Sequence, residues 1–135
     1  MRNRGYWMIS KNEAMPILLE VCPSFNEKWK EHVNDIWDRD SEGILYTDFS
    51  AFARHIVNLI EVKETKEFTD VFATIEMLIS NADDFVKDAV IVGLLEDIQT
   101  IALGRDIRIS AFNRYLGYLS KESWERLIID WGGAK

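Results

Sequence analysis

The chain predicts an all-α fold of about seven helices, on three observations. Apolar residues recur at spacings of three and four along most of its 135 residues, the repeat of an amphipathic helix. No run alternates apolar and polar residues as a half-buried strand does. Only two prolines interrupt the pattern. At 47% apolar residues the length suits one domain, residues 1–135, with chain enough to bury a core. Residues 1–10 are expected as a loose N-terminal extension, with Met8 as an alternative start to Met1. The helices are expected to pack as antiparallel hairpins around a central helix near 84–103.

Each element follows from local signals. In "SKNEAMPILLEVCP" Ser10 or Asn12 caps a first helix that stops before Pro23, with Met15, Leu18, Leu19 and Cys22 on one face. Pro16 belongs in its first turn or kinks it. "SFNEKWKEHVNDIW" opens with Ser24 and Glu27 at capping-box spacing and lays Phe25, Trp29, Val33 and Ile36 on a stripe. The polar segment "DRDSEG" ends this helix near Trp37. Thr47 or Asp48 caps a third helix carrying Phe49, Phe52, Ala53, Ile56, Leu59 and Ile60, and Thr65 a fourth carrying Phe68, Val71, Phe72, Ile75, Leu78 and Ile79. Short connections make neighbouring helices antiparallel.

The apolar run Ala89 to Leu95 marks the central helix, because a helix apolar almost all round is covered on every side. Gly93 within it costs helix propensity, about 1 kcal/mol relative to alanine, and such a glycine usually lies where another helix approaches closely. "DDFVKDAVIVGLLEDI" is similar to the second helix of a HEAT repeat, which gives the expected bundle a partly HEAT-like character. Gly104 is the natural stop. Ser110 then caps a short segment with Phe112, Tyr115 and Leu116, and Ser120 begins a last helix with Trp124, Leu127, Ile128 and Trp131.

The net charge of −7 is unevenly spread. Residues 1–30 and 101–135 each carry +2, whereas residues 31–50 carry −5 and residues 51–100 carry −6. Such a field repels nucleic acid and anionic membranes and attracts a basic partner. The single cysteine has no partner for an internal disulfide, and no apolar segment has the length of a signal sequence or membrane span, so a cytoplasmic protein is expected.

Chemical motifs fail one by one. "DRDSEGILYTDF" places Asp38, Asp40, Glu42 and Gly43 as a calcium loop would, yet its twelfth residue is Phe49 where a bidentate glutamate is required. His32 and His55 belong to no metal-spaced pair, and His55 reads as a boundary residue of the third helix. Cys22, on an apolar face, is expected to be an inert buried thiol. Glu96 and Asp97 are adjacent and so point about 100° apart on a helix, unlike an acid/base pair. No phosphate-binding loop and no basic, aromatic-interleaved patch is present. The expectation is a protein that is not an enzyme and holds no cofactor or metal.

The order of "DFSAFARHIVNLIE", "KETKEF", "VGLLEDIQTIA", "FNRYLG" and "SKESWERLIIDW", over about residues 15–131, resembles a family of short acidic bacterial proteins classed as a domain of unknown function. That family includes proteins thought to be immunity partners of polymorphic or contact-dependent toxins. The resemblance implies a cognate toxin as partner, such as a basic nuclease domain, whose phosphate-binding surface an acidic face would cover. It supplies no catalytic residues. The expected contact residues are Asp38, Asp40 and Glu42 in the loop and Glu96 and Asp97 on the central helix. Trp37 joins them as an aromatic anchor, although a tryptophan ending an apolar stripe more often enters a core. Two other classes fit less of the sequence: a helical adaptor with an exposed apolar groove for a peptide or partner protein, and a small metal-dependent hydrolase.

Overall fold

The computed structural model describes residues 8–130 and is all-α among them. Seven α-helices run in order: α1 (Lys11–Val21), α2 (Asn26–Asp35), α3 (Ile44–Glu61), α4 (Phe68–Asn81), α5 (Asp84–Asp88), α6 (Glu96–Gly104) and α7 (Tyr118–Asp130). Short 3-10 helices precede α2, at Pro23–Phe25, and α7, at Ile109–Tyr115. No helix among the described residues is long and apolar enough to cross a membrane.

The expected central helix is present as α5 and α6 joined without a break by a π-helical stretch, Ala89–Leu95. Ala89, Val90, Leu94, Leu95, Ile98 and Ala102 are fully buried along it. Gly93 marks the expected close approach: a Cβ there would lie 3.1 Å from Cδ1 of Tyr46 and 3.9 Å from Cδ2 of Phe49, both on α3. α3 runs parallel to the central helix, since Tyr46 bonds Asp88 near the start of both and Arg105 bonds Asn58 and Glu61 near their ends. The two thus share one direction, with α4 between them in the chain.

Aromatic rings fill the space between α4, the second 3-10 helix and α7. Phe68, Phe72, Phe112 and Tyr115 pack against one another, and Phe112 meets Trp124 at 5.6 Å between ring centres. α7 is held at its start by α4: Glu76 accepts the backbone N–H groups of Leu119 (2.7 Å) and Ser120 (2.9 Å). Those are two of the donors that a helix N-terminus leaves without intrahelical partners. Burial pushes the Glu76 carboxyl up, but these donors outweigh it and hold the group below its ordinary value.

Several local expectations are corrected. Ile9, expected in a loose extension, is fully buried and pinned to the turn between α4 and α5, its N–H on Asn81 O and its carbonyl accepting from Asp83 N, both at 3.0 Å. Residues 1–7 and Trp131 lie outside the described residues. The capping box belongs to α1, where Ser10 N–H donates to Glu13 Oε1 at 2.9 Å. Ser24 caps nothing, because its hydroxyl is engaged by α3 and by the residue preceding α4. Pro16 falls inside α1, beyond its first turn. α3 starts at Ile44, earlier than Thr47 or Asp48, and α4 at Phe68.

At the end of α6 it is Asp106, with φ 59°, and not Gly104 that takes the left-handed conformation. Asp106 N–H bonds Leu103 O and Ile107 N–H bonds Ala102 O, a Schellman closure. Lys63, with φ 62°, closes α3 in the same way through Ile60 O and Leu59 O.

Candidate functional site

The segment from Ile36 to Gly43 leaves α2 and enters α3 as an acidic loop. Trp37 stands at its head 94% exposed, so it does not complete the apolar stripe of α2. Asp35, Asp38, Asp40 and Glu42 are exposed around it and take no hydrogen bond or ion pair among the described residues. The loop nonetheless has a fixed footing. Asp48, only 3% exposed, accepts two bonds from Arg39, Nη1 to Oδ1 and Nη2 to Oδ2, each 2.9 Å. His32 Nε2 meets the same Oδ1 at 2.8 Å.

A fork-to-fork pair of this kind fixes orientation as well as adding energy. The Arg39 guanidinium also lies 5.3 Å from the ring centre of Trp29, within the range of a cation–π contact. Asp48 therefore serves as a buried anion and not as the helix cap its position suggested. Arg39, the one lysine or arginine within residues 31–50, is spent on it, so the loop's own acids have no ion pair among the described residues. A cavity of about 390 Å³ opens at the foot of the loop, lined by Met15, Trp29, Arg39, Asp40, Leu45 and Asp48 among others. Of the expected contact residues, Asp40 is the one that lines it.

Glu96 and Asp97 form a second patch. Both are half-buried on the first turn of α6. Burial raises the Asp97 carboxyl above its ordinary range, while the hydroxyl of Ser50 and the charge of Arg54 partly offset that. From Ile44, where the loop ends, to Ser50 the axis of α3 advances about 9 Å at about 1.5 Å per residue. The loop acids and the α6 acids are thus separate stations along α3, not one cluster.

A third grouping lies elsewhere and has no signature in the sequence. Cys22 at the end of α1, Ser24 in the first 3-10 helix, His55 on α3 and Glu67 before α4 converge. The Ser24 hydroxyl donates to Glu67 Oε1 (2.5 Å) and lies 2.8 Å from His55 Nε2; Ser24 N–H donates to Glu67 Oε2 (3.1 Å) and the Cys22 thiol to Glu67 Oε1 (3.4 Å). Cys22 is fully buried, and burial chiefly pushes its thiol up to about 12, in keeping with the unreactive thiol expected. His55 corrects the boundary assignment: it is 4% exposed, and burial, with Lys28 nearby, lowers it to about 4. Burial pushes the Glu67 carboxyl up, but the Ser24 and Cys22 donors hold it below its ordinary value. The acid bonds the serine and not the imidazole, so the set is not a nucleophilic triad.

A family model described as a domain of unknown function (DUF7674) matches residues 15–132, the same stretch on which the sequence resemblance rests. No curated protein and no solved structure matches the chain. The HEAT-like character of the expected bundle accordingly remains a likeness of one helix.

Proposed function

The chain belongs to this DUF7674 family, and from that premise we propose that it is an immunity protein that binds and neutralises a cognate toxin domain, a basic nuclease being the partner its charge suits best. The observation that carries this reading is Trp37, 94% exposed within the acids Asp35, Asp38, Asp40 and Glu42. Exposed tryptophan is costly to solvate and is enriched among the residues that dominate binding energy. The exposed carboxylates that flank it in the chain steer a basic surface toward the anchor and reject acidic partners.

The mechanism is occlusion. Carboxylates held where phosphates would lie cover the nuclease's substrate surface, and Trp37 enters a pocket on it. The Arg39–Asp48 fork keeps the loop in one conformation, which lowers the entropy lost on binding. Glu96 and Asp97 supply a second contact further along α3. No catalytic group is required of this chain, and the reading is of a binding protein and not an enzyme, acting in the cytoplasm where such a toxin would act.

The test is to express the reading frame adjacent to this one, or its C-terminal domain, with and without this protein. Growth arrest relieved by co-expression, with a one-to-one complex on purification, supports the proposal. Toxicity without rescue, or rescue without a complex, refutes it for that pair. Near relatives of the toxin should not be bound, since specificity is a difference of affinities.

A further inference from the structure

Cys22 Sγ, a ring nitrogen of His55 and a carboxylate oxygen of Glu67 all lie within 4.8 Å of one another. They come from three different parts of the chain, the end of α1, the middle of α3 and the residue preceding α4. Thiolate, imidazole and carboxylate together form a donor set suited to zinc and its neighbours and poorly suited to calcium or magnesium, which take oxygen ligands. We propose that Cys22, His55 and Glu67 bind one divalent transition-metal ion of the zinc type, tying α1, α3 and α4 together.

Geometry and charge both support the assignment. In a tetrahedral site with Zn–S of about 2.3 Å and Zn–O of about 2.0 Å, the sulfur and oxygen stand about 3.5 Å apart. Sγ of Cys22 and Oε1 of Glu67 are 3.4 Å apart. Nε2 of His55 faces the same group, 2.8 Å from the Ser24 hydroxyl that also bonds Glu67. Binding replaces the S–H bond by a metal–sulfur bond and releases that proton to water. One thiolate and one carboxylate then neutralise the 2+ ion, which removes the cost of burying a net charge. Ser24, within hydrogen-bond reach of all three, becomes the supporting group that orients the ligands. A cleft of about 320 Å³, bordered by Phe25, Lys28 and Arg54, opens beside His55, one of the three ligands.

The experiment uses tag-free, chelator-stripped protein titrated with Co2+ and then Zn2+. The expected result is one equivalent of Co2+ bound with a thiolate-to-cobalt charge-transfer absorption, its replacement by Zn2+, and a rise in melting temperature on loading. Cys22→Ser should abolish the charge-transfer band. It and His55→Gln should each weaken Zn2+ binding at least about 100-fold, more than the loss of a supporting group does. Ser24→Ala should retain the band with weaker binding. The wild-type titration stands without any variant, and far-UV circular dichroism establishes that each variant is folded. Absence of the charge-transfer band in wild-type protein, or Zn2+ affinity in folded Cys22→Ser within threefold of wild type, overturns the proposal.

Discussion

Replacing Arg39 by methionine keeps most of its apolar stem but removes the guanidinium, and with it the fork on Asp48 and the contact over Trp29. Two charge-assisted bonds are lost, each 2.9 Å in the native protein. At about 1.5–3 kcal/mol for a hydrogen bond to a charged group, and with removal of one partner from a buried pair costing about 3–5 kcal/mol, a dry site would lose the upper part of that range. The Arg39 side chain is 32% exposed while that of Asp48 is 5% exposed. Water can therefore replace part of the lost solvation from the loop side, and His32 still reaches Oδ1 at 2.8 Å. The expected cost is about 2–3 kcal/mol, read from urea unfolding at neutral pH.

The double-mutant cycle with Asp48→Ala, which removes both acceptor oxygens, should show a coupling of at least about 1 kcal/mol, because each substitution removes the same pair of bonds. Arg39→Met within about 0.5 kcal/mol of wild type, the range of an ordinary surface substitution, would refute the view of the loop as stapled to α3. The same variant should weaken partner binding although Arg39 is proposed to touch no partner, since a loop released from Asp48 must be ordered again on association.

Three further outcomes follow from single contacts. Glu76 titrates in the folded protein below its ordinary 4.5, so its contribution is complete above about pH 4.5 and is lost as pH falls through the lower folded value. Glu76→Gln should cost about 1 kcal/mol at pH 7, in the range of a lost helix cap, and flatten the acid limb of the stability curve, as urea titrations between pH 3 and 7 would record. Lys63 and Asp106 hold φ values of 62° and 59°, a region that costs a side-chain-bearing residue about 1–2 kcal/mol. Lys63→Gly should thus stabilise by about 0.5–1 kcal/mol once the glycine's own entropy is counted, seen as a higher melting temperature. Gly93→Leu should destabilise by about 1–3 kcal/mol through overpacking, because even its Cβ would meet Tyr46 at 3.1 Å, and chemical denaturation would measure it.

The helices were legible wherever burial and periodicity agreed. Phe49, Phe52, Ala53 and Ile56 on α3 and Phe68, Val71, Phe72, Ile75 and Leu78 on α4 occupy the expected faces and are fully buried. Signals that depend on which partner a polar group finds were not legible. Ser24 and Asp48 both stand where caps stand, but Glu67 and His55 engage the first, and Arg39 and His32 the second. The π-helical stretch Ala89–Leu95 leaves no mark in the sequence, because an all-apolar run carries no phase from which an extra residue per turn could be read. Cys22, His55 and Glu67 follow no metal-ligand spacing, since three separate elements bring them together. Trp37 continues the stripe of Phe25, Trp29, Val33 and Ile36 in sequence, yet α2 ends at Asp35 and the chain turns it outward. Of the expected contact residues, the loop set shares one exposed segment, whereas Glu96 and Asp97 are set apart and half-buried.

The most direct test of the proposed function is the dissociation constant of the purified complex with the adjacent toxin domain, for wild type and for Trp37→Ala. Trp37 is 94% exposed, so its removal should leave the unfolding free energy unchanged within about 0.5 kcal/mol. As a central anchor it should weaken binding by at least about 30-fold, a loss of at least about 2 kcal/mol. Asp38→Lys with Asp40→Lys should slow association and reduce its dependence on salt. No binding by the wild-type pair, or full affinity retained in both the tryptophan and the charge-reversed variants, would contradict the assignment of this loop as the surface that neutralises a toxin.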